Sequence, residues 1–284
     1  MLEPEHQGDR RKDLAEALRS LRSASGLSGS RLAVRCHMSQ AKISRIETGS
    51  TLPSVIDVER ILAALDVPEE FARELLELAR AANVDYTAWR THARLGLHQK
   101  QAELRALEQS STLMRHFLPA VPSGLLHVPE YAAATLRPGV RSEPARDVPR
   151  VVEARMARQA VLDDPGRRFV FLMTEQAVRW RRAPLPAMAA QAAHMARISE
   201  KPNVEIAIIP QTVRVPVTPM NIFVVYDDRL VTIELFSGEV ALRTPQDIGY
   251  HLELFELLLG HALTGTEAKS FLLDRADEFM RERE

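Results

Sequence analysis

The sequence predicts two domains of different class. The first is an all-α domain of five short helices over residues 1–85; the second is an α+β domain over residues 100–284 with a mostly antiparallel sheet; a linker over 86–99 joins them. Three observations carry this. A chain of 284 residues has the length of two ordinary domains. Before Asn83 the apolar residues recur at helical spacing between cap residues and glycine stops. After Gly166 they gather into short β-branched runs.

Leu14, Ala17, Leu18 and Leu21 form one stripe of a first helix over 10–25, and Gly26 stops it. Ser28 is placed to cap a second, short helix with Leu32 and Ala33 inward, ending near Cys36. Ser39 caps a third that carries Ile43 and Ile46 and ends at Gly49. Pro53 and Ser54 open a fourth with Val55, Val58, Ile61, Leu62 and Leu65 on its apolar side. A fifth runs from about Pro68 to Ala82 through Phe71, Leu75, Leu76 and Leu78.

Charge is unevenly spread along these helices. From Arg10 to Arg45 nine Lys and Arg face two acids; from Ile46 to Ala82 three face eight. The net charge of −1 hides a basic block suited to a polyanion and an acidic block turned away from it. The plainer alternative is two solvated helix faces of opposite sign.

Spacing gives the basic block a geometry. Two short helices packed near a right angle around a tight turn need a small residue at the crossing, here Ala33, and an apolar plug, here Ile43. His37 falls in the turn, where the backbone takes a positive φ. Ser39, Gln40, Lys42, Ser44 and Arg45 then share the outward side of the third helix. Gln pairs with adenine edges, and Lys and Arg with guanine edges or phosphates. Ser39 is also simply a good cap, and Arg45 alone would be a solvated charge.

"LRSASGLSGSRLAVRCHMSQAKISRIETGSTLPSVIDVERILAALDV" resembles the XRE family of helix-turn-helix repressors, related to phage repressors and Cro. The resemblance covers about the first 80 residues, with "SQAKISRIETG" its most specific part. It implies a third helix that enters the major groove of a double-stranded operator, a homodimer, and DNA contacts from Ser28, Ser39, Gln40, Lys42, Ser44 and Arg45, while Arg31, a departure from the family, could supply a compensating phosphate contact. Three positions depart from the family: Gly29 stands for its Gln, Arg31 for its acid and His37 for its turn glycine.

The junction is expected around "NVDYTAWRTHARLG", with Tyr86 and Trp89 packing the domains together. A helix is expected from Leu97 to Phe117, an exposed loop over 136–149, and a helix from Pro149 to Leu162. "RRFVFLM", "NVEIAIIP", "NIFVVY" and "LVTIELF" read as strands, the last two joined by a hairpin turn at Asp227, Asp228 and Arg229. A helix over 188–199 joins the first two. Two helices close the chain, one started by Thr244, Pro245 and Asp247, the other by a capping box of Thr264 and Glu267. "GLLHVPEYAAATL", "VEARMARQAVL", "KPNVEIAIIP" and "LFSGEVAL…HLELFELLLGHALTGTEAKSFL" resemble the C-terminal domain of unknown function on many actinobacterial XRE regulators, with Ser123 inserted where that domain has proline. That resemblance implies a sensory, dimerising or partner-binding role, in some cases alongside a small protein in a toxin–antitoxin-like system.

Catalytic signatures are lacking. The nine histidines show no His-Glu-x-x-His spacing, His92 and His98 lie six apart by chance, and no P-loop, Gly-x-Gly-x-x-Gly or Gly-x-Ser-x-Gly occurs. No catalytic residue, metal site or cofactor is expected, and an enzyme with a DNA-targeting domain is the weakest reading. Arg155, Arg158 and Gln159 on one helix could grip an anion or a partner carboxylate; an exposed face bonding to a neighbouring loop is the better reading. Glu175, at the end of an apolar strand, could enter a pocket, with bonding to nearby arginines preferred. One cysteine, no leader and no apolar run of membrane-spanning length point to the cytoplasm. The expectation is therefore a DNA-binding transcriptional regulator whose C-terminal domain senses a small effector or dimerises. The alternative is an antitoxin-like autoregulator that binds a small partner protein.

Overall fold

The computed structural model describes residues 5–88, 97–137 and 147–282. Trp89, His92 and the loop over 138–146 lie outside them, as do the side chains of Tyr86 and His98, so the expected packing of Trp89 and Tyr86 and the His92–His98 spacing fall outside the described residues. The chain forms two compact units: residues 1–87 with 240–247, and residues 88–239 with 248–284.

The first unit holds α1 (Glu5–Ala24), α2 (Gly29–Arg35), α3 (Gln40–Glu47), α4 (Val55–Ala64) and α5 (Glu69–Asn83), followed by strand β1 (Val84–Ala88). The caps are the expected ones: Ser28 Oγ accepts from the Arg31 N–H and Ser39 Oγ from the Lys42 N–H, both at 3.2 Å. Ser54 and Asp57 form a reciprocal capping box on α4. Gly26 and Gly49 end α1 and α3 at φ 69° and 68°, which glycine adopts at no steric cost. Leu14, Leu18, Leu32, Ile43, Ile46, Val58 and Ile61 make the core, each at most 1 % exposed.

His37 turns the chain between α2 and α3 at φ 54°, a left-handed conformation for a side-chain-bearing residue. Cβ makes that region unfavourable by about 1–2 kcal/mol for an L-residue. His37→Gly is therefore expected to stabilise this unit by about 0.5–1 kcal/mol once the extra freedom of glycine in the unfolded chain is subtracted. Hydrogen exchange of the α2 and α3 amides at pH 8 measures it; lower protection in the variant would show that the side chain contributes more than its backbone strain costs.

The second unit holds α6 (Leu97–Gln109), β2 (Leu113–Leu118), α7 (Pro129–Leu136), α8 (Val148–Arg158), β3 (Arg168–Thr174), α9 (Glu175–Arg179), α10 (Leu185–Ile198), β4 (Val204–Ile209), β5 (Ile222–Tyr226), β6 (Leu230–Glu234), β7 (Gly238–Leu242), α11 (Pro245–Leu259) and α12 (Gly265–Arg281), with 3-10 turns at Gly124–Leu126 and Gln159–Asp163. β7 and α11 begin or end within the segment 240–247 assigned to the first unit. The five strands β6-β5-β2-β3-β4 lie side by side in that order.

The sheet is mixed, which corrects the mostly antiparallel expectation. β2 pairs parallel with β3 and β3 with β4, while β2 and β6 flank β5 antiparallel. The parallel pairs follow from their connections, since α7 with α8, and α9 with α10, lie between successive strands, and such helical crossovers return the chain in the same direction.

Three further corrections are local. The helix expected from Leu97 to Phe117 ends at Gln109, and its last third is β2, the strand on which both halves of the sheet meet. The helix expected to reach Leu162 gives way to a 3-10 turn after Arg158. Thr264 precedes α12 with no side-chain cap bond, so no capping box forms there. At the β5–β6 turn, Asp227 sits at φ 53° and its Oδ1 accepts from Thr112 N, Thr112 Oγ1 and Leu113 N, all at 2.9 Å, which fixes the start of β2.

Candidate nucleic-acid interface and the polar interior of the second unit

In the first unit the outward face of α3 carries exposed Ser39, Gln40, Ser44 and Arg45, and the start of α2 presents exposed Ser28 and Arg31. Ser39 and Ser28 are engaged as caps, while the neighbouring Gln40 and Arg31 side chains face solvent. Lys42 is different. Its Nζ bonds the Asp57 carboxylate at 2.7 Å, and Asp57 is the buried member of the α4 capping box. Lys42 thus ties α3 to α4, and only its partly exposed flank is left for an outside ligand.

Two other members of the basic block are also engaged. Arg22 forks onto Glu47 at 2.6 and 3.0 Å and donates to Leu27 O at 2.9 Å, clamping α1 to the end of α3. Hydrogen bonding to Glu47 raises its pKa against the opposing effect of burial. Arg35 donates to Ala64 O at 3.1 Å. Among the described residues Lys12, Arg19, Arg31 and Arg45 remain on the exposed surface, fewer unengaged cations than the sequence count of the block suggests.

In the second unit, two of the side chains singled out in sequence, Arg155 and Gln159, lie in one network. Gln159 Nε2 donates to Gly124 O at 3.1 Å and His127 O at 2.8 Å, and Arg155 Nη1 meets His127 Nδ1 at 3.1 Å. His127 Nε2 lies 3.0 Å from Pro122 O. These contacts assign the tautomer: Nε2–H donates to Pro122 and Nδ1 accepts from Arg155. Burial, reinforced by Arg155, drives the His127 pKa well down and keeps the ring neutral. Gln191 completes the cradle, donating to Leu126 O at 2.6 Å and accepting from Val128 N at 2.9 Å. Side chains thereby satisfy the irregular backbone of residues 122–128. Bonding to a neighbouring loop is the preferred expectation for this helix and is what forms; its expected exposure is corrected, because Arg158 is buried and Arg155 and Gln159 are half-buried.

Arg158 is the clearest case. It is 5 % exposed and pairs through Nη1 with Glu108 Oε1 at 3.1 Å; Glu108 is 1 % exposed. Burial pushes the Glu108 pKa up to about 7 against the pull of Arg158. Gly124 makes room for the guanidinium, since a Cβ there would stand 3.0 Å from Arg158 Nη2. Beside the pair, His116 on β2 is 4 % exposed and tilts against Phe171 with ring centroids 4.7 Å apart. Burial, with Arg158 adding to it, lowers the His116 pKa to about 3. Lys100, also buried, bonds Glu239 at 2.7 Å.

Glu175 belongs elsewhere. It is buried at the start of α9, bonds the Arg179 guanidinium and accepts from the Gln211 N–H at 2.9 Å. Burial would lift its pKa, but these bonds outweigh it and hold the carboxyl below the usual range. The sequence did not single out Glu108, His116, His127, Gln191, Lys100, Glu239 or Asp57. Each reads as an ordinary polar residue until its partner from a distant element is known.

Among the described residues no group of three or more His, Cys, Asp or Glu is placed to hold a metal ion, and no helix is long and apolar enough to cross a membrane.

Residues 13–76 match a helix-turn-helix domain, and residues 101–274 match a domain of unknown function, DUF5753. Among curated proteins, none matches. Two solved structures show weak likenesses. A phospholipase D family member, Nuc, from Salmonella typhimurium is 12 % identical over 58 % of this chain and 90 % of its own, with a TM-score of 0.34. TrmBL2, described as an archaeal chromatin protein with a novel mode of DNA binding, is 12 % identical over 73 % of this chain and 66 % of its own, with a TM-score of 0.33. TM-scores this low do not define a shared fold. The DUF5753 match spans more than half of the chain and the helix-turn-helix match precedes it: the protein belongs to the DUF5753 family and carries a helix-turn-helix domain at its N-terminus.

Proposed function

We propose that the protein is a DNA-binding transcriptional regulator of the cytoplasm, non-enzymatic and dimeric on its operator, whose DUF5753 domain responds to a small effector. One observation carries the DNA reading: within a matched helix-turn-helix domain, α3 turns its first residues outward with Gln40 exposed, beside exposed Arg31, Arg45 and Arg19. An α-helix presented this way fits the major groove, with side-chain amides reading base edges and cations meeting phosphates.

Arg31 is assigned a phosphate contact. Arg31→Ala is expected to weaken binding to every duplex and to make the slope of log affinity against log salt shallower by about one unit. Fluorescence anisotropy on a selected operator and on a scrambled duplex, across a salt series, tests both statements. Equal wild-type affinity for the two duplexes would remove the sequence-reading role, and an unchanged slope would remove the Arg31 contact.

A second reading is that the C-terminal domain docks a small partner protein. Phe236 and Met220 favour it, the first fully exposed beyond β6 and the second 74 % exposed before β5. Register places both at one end of the sheet, because Ile222 pairs with Glu234. Native mass spectrometry of protein from its own host separates a bound polypeptide from a bound small molecule.

A further inference from the structure

The polar interior beneath α6 and α8 holds more hydrogen-bonding capacity than the protein uses. Among the described residues, Gln101 Oε1, Glu108 Oε2, His116 Nε2 and Arg158 Nε are buried and make no hydrogen bond. Their side chains belong to residues 1–6 % exposed. Each such atom costs about 1–3 kcal/mol when nothing pairs with it, and native interiors carry few of them without a reason.

Three of the atoms share one region, and Gln101 lies on the same helix as Glu108. Glu108 and Arg158 are in contact, and Arg158 faces His116 closely enough to depress its basicity. His116 lies in a row of the sheet between Phe171 on β3 and Val224 on β5, with Thr232 next on β6. Gln101 and Glu108 are seven residues apart on α6, two turns along the same helix face. That helix buries its polar residues Lys100, Gln101 and Glu108 while Leu104 and Leu107 stay half-buried. Two ion pairs, Lys100–Glu239 and Glu108–Arg158, hold it in place.

We infer that this interior is a binding site for a small, net-uncharged molecule bearing hydroxyl or amide groups, with α6 as its wall. The charges decide the class. Arg158, Lys100 and Arg155 face Glu108, Glu239 and Glu234, three charges of each sign, so neither an anion nor a cation finds a surplus counter-charge. Gln101 Oε1 and Glu108 Oε2 accept, which calls for donors on the ligand; Arg158 Nε donates, which calls for an acceptor. His116 is neutral and takes either role. A hydroxyl or a carboxamide meets the demands of Glu108 and Arg158 within a few atoms, and Gln101 offers a second acceptor two turns along α6. The inference rests on reading the DUF5753 domain as the effector-responsive half and names the chemistry of that effector.

The test uses the full chain labelled with 15N-histidine, the His116 ring resonance assigned through His116→Gln. Glycerol and acetamide are the neutral probes; sodium phosphate and guanidinium chloride are the charged controls, at constant ionic strength. A saturable His116 shift with at least one neutral probe, weakened fivefold or more in Glu108→Gln, is the expected result. Ring resonances of His127, His194 and His251 that stay in place in Glu108→Gln show that the weakening is local. No saturable shift with either neutral probe, an equal response to a charged control, or crystallographic density for ordered water only would overturn the site. Operator binding is measured on the same samples: if it persists while no probe binds, the ligand site falls and the DNA-binding reading stands.

Discussion

Glu108→Ala is expected to destabilise the C-terminal domain by about 3–5 kcal/mol at pH 8, the range for breaking one half of a buried ion pair. The two halves of this pair differ. Arg158 cannot shed its proton, so without Glu108 it stays charged at 5 % exposure with its ion-pair partner gone. Glu108 can take up a proton, and burial already sets its pKa at about 7. Acidifying from pH 8 to pH 6 should therefore rescue Arg158→Met but not Glu108→Ala. The sign follows from linkage. A carboxyl whose folded pKa lies above its unfolded value of 4.5 binds its proton more tightly when folded. Its contribution to stability is complete below about pH 4.5 and is lost as pH rises through about 7. Glu108→Gln removes that dependence. Chemical denaturation of the three variants and the parent at both pH values measures all of this; equal rescue of Arg158→Met and Glu108→Ala would show that Glu108 is not the titrating group.

Gln40→Ala is expected to cost about 1–3 kcal/mol of specific affinity, the range for one bidentate base contact, and to leave non-specific binding nearly intact. Gln40 is the first residue of α3 and is exposed. Lys42, two residues on, is tied to Asp57 at 2.7 Å. On the proposed reading, base contact falls to Gln40, Ser44 and Arg45 more than the run of polar residues implies. Anisotropy on operator and scrambled duplexes at one salt concentration decides it: equal losses on both would mean that Gln40 meets the backbone rather than a base.

The first unit was legible in the sequence because its determinants are local. Caps at Ser28, Ser39 and Ser54 act within three residues, glycine stops act within one turn, and the positive φ at His37 follows from turn geometry. In the second unit the missed element was β2. "LMRHFL" follows a helix after only three residues and contains Arg115 and His116, so its alternation reads equally as the end of an amphipathic helix. What makes it a strand is pairing with Phe169–Met173 and with Phe223–Tyr226, partners more than fifty residues away. The polar interior was opaque for the same reason. Arg158 reads as a solvated cation on α8, and only the fold brings Glu108 from α6 to within 3.1 Å of it.

Because β2 meets β3 along one side and β5 along the other, the sheet cannot close until Tyr226 has left the ribosome. Leu113–Leu118 must wait more than a hundred residues for its antiparallel neighbour, and pairings that distant in sequence form slowly. The five helices that end at Asn83 need only near neighbours and can collapse while the rest is still being made. During synthesis the nascent chain thus passes through a stage with a finished helical head and an unpaired β2 edge flanked by Met114, Phe117 and Leu118. That edge is the segment most in need of a chaperone, and charges engineered at Leu113 or the exposed end of α6 would be the place to raise the yield of soluble protein.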